Sequence, residues 1–83
     1  MRHVRIYDNG GKTADRYTAV FLAMPEAATG TFHAVGMNES PFHPQGIGMS
    51  CTAMPGRHLG RRIALGELPA DCQRLVTRIA QEA

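Results

Sequence analysis

The segment from Tyr17 to Met24 constrains the fold most, because both of its faces are apolar if it forms a strand. Alternate side chains of a strand point to opposite faces of the sheet. The two predicted sets of side chains are Thr18, Val20, Leu22 and Met24 on one face and Tyr17, Ala19, Phe21 and Ala23 on the other. A strand of this kind is normally central and covered on both sides. We therefore predict a sheet built around this segment.

Two further strands are predicted beside the central one. Val4 to Asp8 alternates between apolar and polar side chains, which is typical of an edge strand with one face in water. The turn Asp8-Asn9-Gly10-Gly11 follows, because Asn and Gly tolerate positive φ, and Lys12 to Arg16 extends it into a polar loop. Pro25 ends the central strand. A third strand at Thr31 to Met37 is expected to have the central strand on one side and solvent on the other.

The stretch from Pro25 to Pro69 is rich in glycine and proline, with seven Gly and all five Pro of the chain. Regular structure is hard to sustain at this density. We expect an irregular loop from about Asn38 to Arg57, interrupted by a short strand near Met49 to Ala53. Another short strand is expected at Arg61 to Leu65.

The C-terminal segment has the clearest helical period. Pro69 suits the first position of a helix, and apolar side chains then recur on one side of the helix, at Leu68, Cys72, Leu75, Val76 and Ile79. One amphipathic helix can cover one face of a small antiparallel sheet. We therefore predict a single α+β domain over residues 1–83, with three or four strands, one C-terminal helix and a long Gly/Pro-rich loop. The second face of the sheet would be covered by that loop or by a second copy of the chain in a homodimer.

Length and composition exclude several classes of protein. A chain of 83 residues with 43% hydrophobic residues has room for one core, and its composition is not that of a disordered chain. The longest apolar run, Ala19 to Met24, has six residues, whereas a membrane helix needs about 20. We expect no membrane association and no export signal. The protein is therefore expected to be cytoplasmic, with Cys51 and Cys72 as reduced thiols.

The predicted binding surface lies in a stretch without acidic residues, since no Asp or Glu occurs between Ser40 and Gly66. Positive potential attracts phosphate groups and acidic protein surfaces alike. The loop before Met49 adds apolar side chains, with prolines that lower the entropy cost of docking. We expect a protein partner to contact Phe42, His43, Gln45, Ile47, Met49, Arg57, His58, Arg61 and Arg62. The structural alternative for Phe42, Ile47 and Met49 is a lid over the sheet.

A nucleic-acid partner is the alternative to a protein partner. Arg57, Arg61 and Arg62 would contact phosphates, and Phe42 or Tyr7 would stack on bases. If a strand starts at Arg61, however, Arg61 and Arg62 point to opposite faces of the sheet and cannot both contact one backbone.

A metal site is the second alternative, because His33, His43, Cys51 and His58 are all ligand types. Their spacings lack the tight pair that closed zinc sites usually contain. Catalysis by Ser50 or Cys51 would need His43 or His58 as a base and a third group to orient it, and the spacing does not favour this arrangement. We therefore predict no catalytic activity and no cofactor.

Several short segments together resemble those of a known family. They are Asp8-Asn9-Gly10-Gly11, Asp15-Arg16-Tyr17-Thr18, Pro41-Phe42-His43-Pro44-Gln45-Gly46, His58-Leu59-Gly60 and Leu68-Pro69. In this order they resemble a family of small bacterial proteins associated with bacteriophages, plasmids and integrated elements. The family has no established activity, so the resemblance assigns no role to any residue. It implies an accessory protein of a mobile element, of a kind that often acts by binding a host component.

Overall fold

A computed structural model describes residues 3–13, 15–38 and 48–82 of the chain. Within them lie five strands and one α-helix, namely β1 (Val4–Asp8), β2 (Tyr17–Glu26), β3 (Thr31–Met37), β4 (Gly48–Ala53), β5 (Arg61–Ile63) and α1 (Ala70–Glu82). Single turns of 3₁₀-helix at Arg57–Leu59 and Leu65–Glu67 flank β5. Among the described helices, none has the length and apolar character needed to cross a bilayer.

The strands form one antiparallel sheet in the order β4-β3-β2-β1-β5, with β2 at its centre. The predicted α+β fold, the central position of the second strand and the C-terminal helix are all confirmed. The sheet has five strands rather than the three or four predicted, because both short segments of the Gly/Pro-rich stretch pair with it. Residues 39–47 of the predicted irregular loop lie outside the described residues.

The predicted end of β2 at Pro25 is wrong, because the strand continues to Glu26. Two of the predicted strand positions are also wrong. β1 is not an edge strand, because β5 pairs with it through Ile6 opposite Ile63 and Asp8 opposite Arg61. β3 is not bordered by solvent, because β4 pairs with all of it except its first residue. In both cases the added strand comes from a distant part of the chain. The alternation of side chains within one strand does not indicate which distant segment pairs with it. Among the described strands, β4 and β5 therefore lie at the two edges of the sheet.

The larger part of the core lies between the sheet and α1. Phe21, Met37, Cys72 and Val76 are almost completely buried there. The Cys72 thiol donates a hydrogen bond to the Asn38 carbonyl oxygen at 3.2 Å, so the end of β3 is tied to the helix. Cys72 is thus a buried free thiol on the apolar side of α1, as the helical period predicts.

The second face of the sheet carries a smaller apolar cluster. Tyr7, Val20 and Ala34 are buried on this face, and Leu59 packs against them from the 3₁₀ turn at Arg57–Leu59. Part of the Gly/Pro-rich stretch therefore covers the second face. The same packing places the 3₁₀ turn beside the β5 edge, where the charged side chains of the site converge.

Candidate functional site: a basic concavity beside β5

The connection between β1 and β2 is ordered by the side chain of Asn9. Its Oδ1 accepts hydrogen bonds from the backbone N–H groups of Gly11 at 2.8 Å and Lys12 at 3.0 Å. Its Nδ2 donates to the Asp15 carbonyl oxygen at 2.9 Å. Gly10 and Gly11 have φ angles of 75° and 86°, a region that favours glycine. This turn fixes the backbone position of Lys12 next to β1.

Asp8 and Arg16 form a bidentate ion pair at the base of this turn. The Arg16 guanidinium donates from Nε to Asp8 Oδ1 at 2.9 Å and from its terminal nitrogen to Oδ2 at 3.2 Å. The backbone N–H of Gly10 also donates to Oδ1, at 2.8 Å. The hydrogen bond from Arg16 is the main reason that the pKa of Asp8 lies below its usual value. Asp8 is therefore ionised at neutral pH, and its carboxylate accepts hydrogen bonds from Arg16 and Gly10 of its own chain.

The 3₁₀ turn reaches this ion pair because Gly60 packs directly on the backbone of β1. Gly60 has a φ of 117°, and a Cβ at this position would overlap the Asp8 carbonyl and come within 2.7 Å of the Asn9 Cα. Both the conformation and the close approach therefore require glycine. The turn itself is closed by the N–H of Gly60, which donates to the Arg57 carbonyl oxygen at 3.0 Å. As a result, Arg57 and His58 stand next to the β1–β2 connection.

Arg61 completes the charged group from the first position of β5. Its terminal nitrogens lie 3.9 Å from Asp8 Oδ2 and 3.8 Å from Glu67 Oε1, and its side chain is 68% exposed. Ion pairs at this distance and exposure contribute little. Glu67 is itself held in place, because its carboxylate accepts the backbone N–H of Ala64 at 2.7 Å. The Arg61 guanidinium thus lies near Asp8 and Glu67 but remains accessible to a ligand.

These groups surround an open cavity of about 610 Å³, which we call the basic concavity. Its described lining residues are Asp8, Asn9, Gly10, Lys12, Arg16, Arg57, His58, Gly60 and Arg61. Four of them are cationic and one is acidic, so with neutral His58 the lining has an excess of three positive charges. Within the described part of the chain, no ion pair involves Lys12 or Arg57. The basic concavity is therefore suited to an anionic ligand.

The structure brings together three of the predicted binding residues, Arg57, His58 and Arg61. Met49 is 45% exposed but lies in β4, at the other edge of the sheet. Arg62 is opposite Tyr7 in the β1–β5 pairing, on the other face from Arg61, as the strand alternation predicts. The remaining predicted residues, Phe42, His43, Gln45 and Ile47, lie outside the described residues.

Sequence reasoning missed the contribution of the β1–β2 connection. The sequence predicts only a polar loop around Lys12 and Arg16, although both line the basic concavity. The missing information is the pairing of Asp8 with Arg61, which are far apart in the chain. The Asp8-Asn9-Gly10-Gly11 turn was the available signal, since a turn of fixed geometry holds its neighbouring charges in fixed positions.

The proposed stacking role of Tyr7 is not possible in this structure. Tyr7 is 6% exposed and belongs to the apolar cluster on the second face, away from the basic concavity. Tyr17 is 5% exposed and lies beneath the Arg16 guanidinium, 5.2 Å from it. No Phe, Tyr or Trp side chain is among the described lining residues, and the imidazole of His58 is the one ring there, so they offer contacts mainly to charge.

Among the described residues, the candidate groups for metal binding do not form a cluster, and Cys51 is unsuited to nucleophilic catalysis. Among the described residues, no three His, Cys, Asp or Glu side chains are close enough together to hold a metal ion, and His43 lies outside those residues. Partial burial of its sulfur, and secondarily the nearby Asp15 carboxylate, raise the pKa of Cys51. A nucleophilic cysteine requires the opposite shift.

Comparison with known protein families, curated proteins and solved structures finds no match to this chain. The site must therefore be interpreted from its geometry. Three of the segments that carry the resemblance meet at the basic concavity, namely the turn after Asp8, the segment that begins at Asp15, and the His58 to Gly60 turn.

Proposed function

We propose that the protein is a non-catalytic binding module whose basic concavity docks an acidic segment of a partner protein. The observation that carries this proposal is the way the concavity already holds a carboxylate. Asp8 is bound by the Arg16 guanidinium through two hydrogen bonds and by the Gly10 N–H through a third. Planar, bidentate pairing of this kind is specific for carboxylate and phosphate groups.

The groups left for a partner are at the rim of the concavity. Lys12 and Arg57 are exposed cations outside any described ion pair, and Arg61 is held only loosely by Asp8 and Glu67. The fixed backbone at Asn9 and Gly60 lowers the ordering cost of binding for the residues attached to it. Each ion pair between exposed charged groups contributes up to about 1 kcal/mol. Two such contacts would give a weak and salt-sensitive complex.

An acidic protein is favoured over a nucleic acid by the extent of the charged surface. The concavity is confined to one end of the sheet, and Arg62 faces away from it. A nucleic acid is normally held by several phosphate contacts along a groove, with exposed aromatic rings for single strands. The concavity offers one compact cluster of cations, and its described lining includes no Phe, Tyr or Trp ring.

The cellular setting is part of the same proposal. Cys51 and Cys72 are free thiols, which suits the reducing cytoplasm. The resemblance to accessory proteins of mobile elements is compatible with a small protein that acts by contact alone. An acidic surface of a host protein, or of another protein of the element, is the kind of partner that this charge would select.

Fluorescence anisotropy with a labelled glutamate-rich peptide tests the proposal. The double variant Lys12→Ala/Arg57→Ala removes two cations at the concavity, and Arg74→Ala/Arg78→Ala removes two from α1, so both variants have the same net charge. We expect the first variant to bind about 10-fold more weakly than wild type, the loss of about 1.4 kcal/mol. The second should remain within about 2-fold of wild type.

Two results would contradict the proposal. Equal losses in the two double variants would mean that only net charge attracts the peptide. Tighter binding of a double-stranded or single-stranded oligonucleotide than of the peptide, lost in Lys12→Ala/Arg57→Ala, would assign the concavity to nucleic acid instead. The slope of affinity against salt would then count the phosphate contacts.

A further inference from the structure

The β4 edge of the sheet differs from the β5 edge in length and charge. β5 has three residues and two of them are arginines. β4 has six residues, Gly-Met-Ser-Cys-Thr-Ala, without a charge or a proline, and all but the last are exposed. Short length and charged side chains are the usual means by which an edge strand avoids pairing with another chain. β5 has both protections, and β4 has neither.

We propose that β4 is the interface for a second copy of this chain, paired antiparallel with its own counterpart so that one sheet continues through both copies. The distribution of charge favours this occupant over a charged partner. β4 brings no like charges together across the two-fold axis, and the cations of the basic concavity lie at the opposite edge, beyond β3, β2 and β1. Four strand spacings of about 4.8 Å separate the two edges within each copy.

The residues of β4 complement each other best when the axis passes beside Cys51. A two-fold axis perpendicular to the sheet places side chains of the same face opposite one another. With Cys51 at the centre, Met49 lies opposite the partner's Ala53, a large side chain against a small one. Ser50 then lies opposite the partner's Thr52, a hydroxyl pair that stabilises paired strands. The 45% exposure of Met49 would decrease in the pair.

The size of the interface predicts a weak dimer. A six-residue strand is about 20 Å long, and pairing along it buries less surface than a stable interface of about 1,600 Å². Association should therefore require protein concentrations of tens of micromolar or more. In the dimer both basic concavities would remain free at the outer edges of the ten-stranded sheet. A partner with two acidic segments could then bind with increased avidity.

Sedimentation velocity over a range of protein concentrations tests the interface. We expect the weight-average mass of wild type to rise from 9.0 kDa towards twice that value. Thr52→Lys places a charge in the edge strand and should keep the protein monomeric, whereas Ala28→Lys, in the exposed turn between β2 and β3, should dimerise like wild type. Circular dichroism would establish that both variants are folded. A monomeric wild type at all concentrations would overturn the proposal.

Oxidation by diamide tests the register. Two Cys51 thiols lose two electrons and two protons to diamide and form one disulfide, and directly opposed Cα atoms about 4.5–5.5 Å apart permit this bond. We expect a covalent dimer of wild type. Met49→Cys in a Cys51→Ser background should not form one, because the two positions would be about 14 Å apart. Equal cross-linking of the two proteins would indicate random collision and overturn the proposal. Protection of the outward β4 amides from hydrogen exchange in the monomer would also overturn the proposal, because another segment of the same chain would then be paired with β4.

Discussion

The two edges of the sheet differ in length, in charge and in the backbone that they expose. At β5, a three-residue strand is held by Gly60 against the backbone of β1, and its arginine joins a network around Asp8. At β4, a longer strand carries only uncharged side chains and is exposed at all but its last residue. The β5 edge presents fixed charges and little free backbone, whereas the β4 edge presents backbone and no charge. The first therefore suits an ionic partner, and the second suits another strand.

The largest expected effect of a single change is at Gly60. Gly60→Ala places a Cβ against the Asp8 carbonyl in a backbone conformation that favours glycine, and we expect it to lower the free energy of unfolding by about 2–4 kcal/mol. Gly66→Ala, where no atom lies within 4 Å of the added methyl group, should change it by less than about 1 kcal/mol. Urea denaturation of both variants measures the difference. Equal effects would mean that the close packing beside β5 is unimportant.

Removal of the Asp8 charge should have a smaller effect that depends on pH. Asp8→Asn loses the ion pair with Arg16, and we expect it to lower the free energy of unfolding by about 1–2 kcal/mol at pH 7. Because the pKa of Asp8 is lowered in the folded state, its stabilisation is complete above the unfolded pKa of about 3.9 and is lost as the pH falls through the folded value.

Thermal or urea unfolding between pH 7 and pH 2.5 measures this dependence. The stability difference between wild type and Asp8→Asn should be constant down to about pH 5 and should shrink below it. A difference that persists unchanged at the lowest pH would show that the charge of Asp8 does not contribute, and that the substitution acts by another route.

Binding should distinguish the basic concavity from the face of β5 that points away from it. Arg57→Ala is expected to weaken binding of the glutamate-rich peptide about 3- to 5-fold, because it removes one cation of the concavity. Arg62→Ala makes the same change of charge on the other face and should weaken it less than 2-fold. Anisotropy titrations of the two variants side by side measure the ratio. An Arg62→Ala effect as large as that of Arg57→Ala would contradict the location of the site.

The smallest expected effect is that of a β4 substitution on the free energy of unfolding of the monomer. Thr52→Lys should change the free energy of unfolding by less than about 0.5 kcal/mol at micromolar concentration, since Thr52 is exposed and its position lies at a sheet edge. Urea denaturation at 1–5 μM would measure it. A loss of more than about 1 kcal/mol would mean that β4 is already supported by contacts within its own chain.

Those parts of the fold that depend on local pattern could be predicted from the sequence. The two apolar faces of β2 identified the centre of the sheet, and the period from Leu68 to Ile79 identified the helix and the burial of Cys72. The positions of β1 and β3 could not be predicted, because each depends on pairing with a short strand from the Gly/Pro-rich stretch. Alternation along one strand does not indicate which distant segment lies beside it.

The sequence predicts only part of the candidate site, for the same reason. The acid-free stretch identified Arg57, His58 and Arg61, whereas Lys12 and Arg16 enter the site only through the pairing of Asp8 with Arg61 and the packing of Gly60. Tyr7 is buried because the 3₁₀ turn places Leu59 over the face of the sheet on which Tyr7 lies. The contacts that decide the chemistry are therefore long-range ones.

Mapping of backbone amides by NMR tests the central claim most directly. During titration of wild type with the glutamate-rich peptide, we expect chemical-shift changes concentrated in residues 9–12 and 57–61, reduced by salt, and requiring about 10-fold more peptide in Lys12→Ala/Arg57→Ala. Changes concentrated in α1 or β4, or no changes at a peptide concentration of several millimolar, would contradict it.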